Sequence, residues 1–275
     1  MHEFNASEGD FRTMKGAFVS DLHLFSQRSI GQKHWDDLNS TLQNVNLLVL
    51  GGDIFDFRWS RYPDLRSTTE AAEEWLSSLL NKHRHLQVSY LLGNHDCSHA
   101  MQIALSEISK STEQFQWHEH ILQLGSKAFL HGDILDAGLN KERLSEYRRT
   151  FSRESTTKGK LANKLYDLLI ATRVHRLPGQ LHHTPKKTTS RLSEFLSQDN
   201  SLCQGDVREV YFGHTHSPLN GTMFGGVHFF NPGSGIKHLP FQPKFFEFTE
   251  QEVALSHELV LDCLALPAGS RNPNH

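Results

Sequence analysis

Five short apolar runs, each stopped abruptly by Asp, His or Asn, constrain this chain more than any other feature. They are "GAFVSDLH", "VNLLVLGGDIFD", "VSYLLGNHD", "KAFLHGD" and "REVYFGHTH". Continuous apolar runs suit strands covered on both faces, and helical patterns such as "TEAAEEWLSSLLNKH" lie between them. The expected class is α/β. Open α/β sheets place their ligand crevice at the carboxyl ends of the strands, which is where these polar residues fall.

Residue type narrows the chemistry. In "DLH" and "HTH" the paired side chains are two positions apart, so on extended backbone they point the same way. The candidates are Asp21, His23, Asp53, Asn94, His131, His214 and His216. Imidazole with carboxylate and no thiolate suits manganese, iron, zinc or cobalt rather than calcium. Seven candidates exceed the needs of one tetrahedral ion and suit two divalent ions that share a carboxylate. Such a pair clamps both oxygens of a displacement at phosphorus and supplies hydroxide near neutral pH, so phosphate-ester hydrolysis is the expected reaction. Taken singly, each motif is equally a turn or a helix cap; their shared order and strand-end placement carry the reading.

Composition agrees. The 275 residues are 37% hydrophobic with a mean hydropathy of −0.49, enough for one large domain. No run reaches the length of a membrane span and the start lacks an apolar signal stretch, so a cytoplasmic location is expected. Three scattered cysteines argue against a disulfide framework and against a cysteine zinc site, whereas nineteen histidines supply imidazole freely.

The motifs D-x-H, G-D-x-x-D, G-N-H-D, H-G-D and G-H-x-H, in this order, resemble the calcineurin-like metallophosphoesterase superfamily from about Phe18 to Ser234. The resemblance implies a four-layer α-β-β-α sandwich, two mixed sheets flanked by helices. It implies that Asp21, His23 and His216 hold one ion, that Asn94, His131 and His214 hold the other, and that Asp53 bridges them. His95 would act at the leaving group as general acid or electrostatic stabiliser, oriented by Asp96.

Between "HGD" and "GHTH" the charge changes sign. Leu139 to Arg191 holds thirteen Lys and Arg against four Asp and Glu, a net of +9 in a chain of −3. Leu144, Tyr147 and Phe151 recur at helical spacing, as do Leu161, Leu165, Leu168 and Leu169, and a third helix is expected around "TTSRLSEFLSQ". The expected organisation is a phosphoesterase domain over 14–262, interrupted by a basic helical insertion over 139–199, with tails at 1–13 and 264–275. The insertion reads either as a hairpin packed on the core or as a cap whose Arg148 and Arg149 face an anionic or lipid-linked substrate.

This layout, with "GDIFDFRW" and "RLSEYRR", resembles the UDP-2,3-diacylglucosamine hydrolases of lipid A synthesis. That likeness implies a lipid pyrophosphate substrate, contact with the inner membrane surface, and substrate binding by Arg58 and Trp59. The chain departs from it in having His95 where those enzymes carry Arg, and "ILDAGLN" where they carry an acidic stretch. The alternatives are a phosphodiesterase or nuclease, whose basic lobe would track nucleic acid, a general phosphomonoesterase, and a non-catalytic scaffold.

Overall fold

The computed structural model describes residues 12–153, 183–198, 202 and 207–252. In its first half, apolar runs become the parallel strands β1 (Thr13–Val19), β2 (Leu47–Leu50), β3 (Gln87–Leu91) and β4 (Phe115–His118). Crossover helices α1 (Gly31–Asn39), α2 (Leu65–Lys82) and α3 (His99–Ser111) join them. The second half supplies β5 (Ile121–Leu124), β6 (Lys127–Leu130), α4 (Lys141–Arg153), α5 (Pro185–Gln198), β7 (Glu209–Phe212), β8 (Leu219–Phe224), β9 (Val227–Asn231) and β10 (Lys244–Thr249).

Helix starts follow local chemistry. Asp64 caps α2 by accepting from Ser67 N at 2.8 Å, and Ser98 caps α3 by accepting from Met101 N at 3.2 Å. Each such cap contributes about 1 kcal/mol by satisfying an orphan donor of the first turn.

The strands form two five-stranded mixed sheets, ordered β10-β1-β2-β3-β4 and β5-β6-β7-β9-β8. β10 closes the first sheet antiparallel to β1, with Thr13 opposite Thr249. Alternation along the strands separates three cores. Ala17, Val19, Leu48, Leu50, Val88 and Tyr90 pack outward against Trp35, Leu38, Leu76 and Leu105 of the crossover helices. Phe18, Val49 and Leu91 face inward onto Phe129, Tyr211 and Leu122 of the second sheet. The outer face of that sheet, with Leu130, Val210, Phe212 and Phe229, is covered by Leu144 of α4 and by Leu192 and Phe195 of α5. The result is the expected α-β-β-α sandwich.

Within the insertion expected over 139–199, the described helices α4 and α5 therefore serve as the fourth layer. The third expected helix begins earlier than "TTSRLSEFLSQ", at Pro185, whose fixed φ and missing N–H suit a first helical turn. The stripe of Leu161, Leu165, Leu168 and Leu169 lies outside the described residues, as do the tails apart from Arg12 and Thr13, the latter opening β1. No helix among the described residues is long and apolar enough to cross a membrane.

Candidate metal centre

Five strands deliver the site, all at their carboxyl ends: Asp21 and His23 follow β1, Asp53 follows β2, Asn94 follows β3, His131 follows β6, and His214 and His216 follow β7. Asp21, His23, Asp53, His214 and His216 all have positive φ, between 47° and 64°. Left-handed backbone at a residue with a Cβ costs about 1–3 kcal/mol and gathers at functional sites. Two glycines make the close packing feasible. A Cβ at Gly93 would collide with the Asp53 carboxylate, and one at Gly213 with that of Asp21. Backbone donors hold those carboxylates: His95 N donates to Asp53 Oδ1 at 2.7 Å, and His214 N to Asp21 at 3.0 Å.

The side chains converge in two adjoining groups. In the first, His216 Nε2 lies 3.2 Å from Asp21 Oδ1 and 3.1 Å from His23 Nε2, which is 3.9 Å from Asp53 Oδ2. In the second, His131 Nε2 lies 3.4 Å from Asp53 Oδ1 and 3.3 Å from Asn94 Oδ1, and His214 Nδ1 is 3.0 Å from the same amide oxygen. Donor atoms of Asp21, His23 and His216, and those of Asp21, Asp53 and His131, lie within 4.8 Å of one another.

Tautomers show that this arrangement fits cations. His131 Nδ1 is 3.0 Å from the Gly51 carbonyl, which can only accept, so a proton sits on Nδ1 and Nε2 is the atom turned toward Asp53 and Asn94. His214 Nε2 faces the Asp136 carboxylate at 2.9 Å, which leaves the Nδ1 lone pair facing Asn94 Oδ1. Burial lowers the His131 pKa, but Asp53 outweighs it and pushes it up to about 10, so a positive charge belongs at Nε2 between these oxygens, carried by a proton or by a metal ion in its place.

His95 borders this cluster. Its Nδ1 is 3.0 Å from Asp56 Oδ1, and its ring lies 4.9 Å from that of His23. Burial lowers the His95 pKa, but the carboxylates of Asp53 and Asp56 outweigh it and push it up to about 9. Burial raises the Asp53 carboxyl, and His131 and His95 outweigh that to hold it well below the usual carboxylate range.

A family model of calcineurin-like phosphoesterases matches residues 14–218. The chain belongs to that family. It is a metal-dependent phosphoesterase. A solved structure that it resembles is a dimetal phosphatase from Danio rerio, at 12% identity and a TM-score of 0.44, with 86% of this chain and 93% of that one covered. No curated protein matches the chain.

The structure of this phosphoesterase corrects two expectations. Asp96 does not orient His95. It accepts from Ile54 N at 2.9 Å, Tyr90 Oη at 2.6 Å and Gly93 N at 2.7 Å, so it braces the turn instead. The partner of His95 is Asp56, a residue overlooked although the second Asp of G-D-x-x-D signals it. Arg148 does not face the substrate: it is buried, with Nε 2.7 Å and Nη2 2.9 Å from the two Asp133 oxygens and further bonds to the carbonyls of Leu92 and Glu119.

Arg149 is exposed and pairs with Glu146 at 2.6 Å. Arg58 stands over the Phe151 ring at 5.0 Å, and Phe151 lies 5.8 Å from His95. Trp59 N donates to Asp56 Oδ1 at 2.9 Å, and Arg28 covers the indole at 4.6 Å. The sequence reading also overlooked Asp136 and His183, which no short motif marks.

Proposed function

We propose that this phosphoesterase binds two divalent transition-metal ions and hydrolyses a phosphate-ester or pyrophosphate bond in an anionic substrate. The observation that supports it is the convergence of seven nitrogen- and oxygen-bearing side chains from five strand ends, their donor atoms adjoining one another. Asp21, His23 and His216 would hold one ion and Asn94, His131 and His214 the other, with Asp53 shared. When bound, the ions supply Lewis acidity at the phosphoryl oxygens and an activated water. Manganese suits this donor set first, then iron, zinc or cobalt.

The protein groups take the remaining roles. His95 donates Nδ1–H to Asp56, so its Nε2 is the nitrogen offered to the leaving oxygen, and it gives up a proton there as general acid. Asp56 fixes the ring and favours the imidazolium. Asn94 ligates through a neutral amide, which limits negative charge facing an anionic substrate. Arg58, Trp59 and Phe151 beside His95 form a cationic and aromatic wall for the leaving portion.

At the level of substrate, the reading we favour is a pyrophosphate of the UDP-2,3-diacylglucosamine type at a membrane surface. What supports it is the +9 segment and the exposed Arg149, Lys186 and Lys187 of α4 and α5. Phosphodiesters, nucleic acid and simple phosphomonoesters are the competing substrates. Metal analysis followed by an activity panel tests both levels. Two ions per chain with hydrolysis of UDP-diacylglucosamine above aryl phosphates and DNA are expected, and preference for aryl phosphates or DNA would defeat the lipid reading.

A further inference from the structure

We infer that Asp136 is a positioning residue through which the inserted segment sets His214, and with it the second ion. The inference rests on the ligand assignment above. Asp136 Oδ2 stands 2.9 Å from His214 Nε2, and a carboxylate at that distance places the ring proton on Nε2. His214 Nδ1 then has only a lone pair to present toward Asn94 Oδ1 at 3.0 Å.

Both flanks of the insertion meet at this carboxylate. Asp136 ends a 3₁₀ turn over Asp133–Leu135, and its N donates to Asp133 O at 3.0 Å. Asp133 is in turn gripped at both oxygens by Arg148 of α4. From the other flank His183, two residues ahead of α5, brings Nε2 to 3.5 Å from Asp136 Oδ1 and its ring to 6.0 Å from that of His214. The buried Arg148–Asp133 pair thus holds the turn, the turn aims Asp136, and Asp136 aims the ligand. Donor atoms of Asp136, His183 and His214 also lie within 4.8 Å of one another, but a cation among them would require His214 Nε2 to lose the proton that Asp136 accepts.

Equilibrium dialysis against Mn²⁺ with metal analysis, on wild type, Asp136→Ala and Asp136→Asn, tests this. Wild type should bind two ions. Asp136→Ala should keep one at wild-type affinity and bind the other about 10- to 100-fold more weakly, the usual cost of losing a group that orients a metal-bound histidine. Asp136→Asn, whose amide oxygen still accepts from Nε2–H, should fall between, and thermal unfolding of the metal-free proteins should coincide. Two wild-type affinities in Asp136→Ala would overturn the inference. So would equal losses in the Ala and Asn variants, which would assign the effect to charge alone, or a third ion in wild type lost with Asp136. Wild type that binds no ion would sink the ligand assignment, and this inference with it.

Discussion

His95 Nδ1 and Asp56 Oδ1 stand 3.0 Å apart, a half-buried imidazole on a buried carboxylate set against the Asp53 carboxylate, which His95 also contacts through its backbone N–H at 2.7 Å. One residue thus touches the shared ligand with its main chain and offers a proton with its side chain. Replacing His95 by Ala removes only the second function, since the backbone donor remains. We expect His95→Ala to retain both ions and lose about 100- to 10,000-fold in kcat, the scale of general acid catalysis. The loss should shrink for aryl phosphates with acidic phenols, and a series of leaving-group pKa values checks it; equal losses throughout would remove the acid role.

Asp56→Asn should impair the same step by a different route. The ring would lose its orienting carboxylate, so kcat should fall less than in His95→Ala. In the double variant the two losses should fail to add, because both act through one imidazole. Steady-state kinetics of the double-mutant cycle measures this, and strict additivity would separate the residues.

Asp53 faces both groups of donors, so Asp53→Asn should weaken both ions together and abolish activity. Metal should also stabilise the fold, because the donors converge only in the folded chain and the ions therefore bind it in preference to the unfolded one. At 100 times its dissociation constant each ion adds about 2.7 kcal/mol. Mn²⁺ should therefore raise the Tm of wild type, EDTA should reverse the rise, and Asp53→Asn should show little of either in calorimetry. Full metal-dependent stabilisation of Asp53→Asn would contradict the shared-ligand role.

Arg148 and Arg149 are adjacent in sequence and opposite in consequence. Arg148→Ala leaves the Asp133 carboxylate buried without its partner, for a destabilisation of about 3–5 kcal/mol. Arg149→Ala removes an exposed i,i+3 pair and should change stability by less than about 0.5 kcal/mol. Urea denaturation distinguishes them. Arg149→Ala is therefore the variant fit to test charge selection: KM for a large anionic substrate should rise while that for a small aryl phosphate stays. Equal stabilities of the two variants would show that the Arg148 pair contributes little.

Sequence alone determined the strand ends, the donor types and the family, because these are local quantities. A run of apolar residues stopped by Asp or His states where a strand ends and what it carries there, but the extended backbone expected for D-x-H and G-H-x-H is left-handed at Asp21, His23, His214 and His216, and the folded loops send His214 and His216 to different groups of donors. Tertiary structure decided which charged groups meet. Asp56 rather than Asp96 faces His95, although Asp96 is its neighbour in sequence, because the turn after β3 uses the Asp96 oxygens for its own backbone and for Tyr90. Arg148 points inward and Arg149 outward because consecutive helical residues lie about 100° apart, and only the packing of α4 selects which face is buried. Asp136 and His214 are separated by 78 residues and meet because β6 and β7 are parallel neighbours whose ends open on one crevice. Such pairings depend on how two sheets stack, a long-range property that no short pattern encodes.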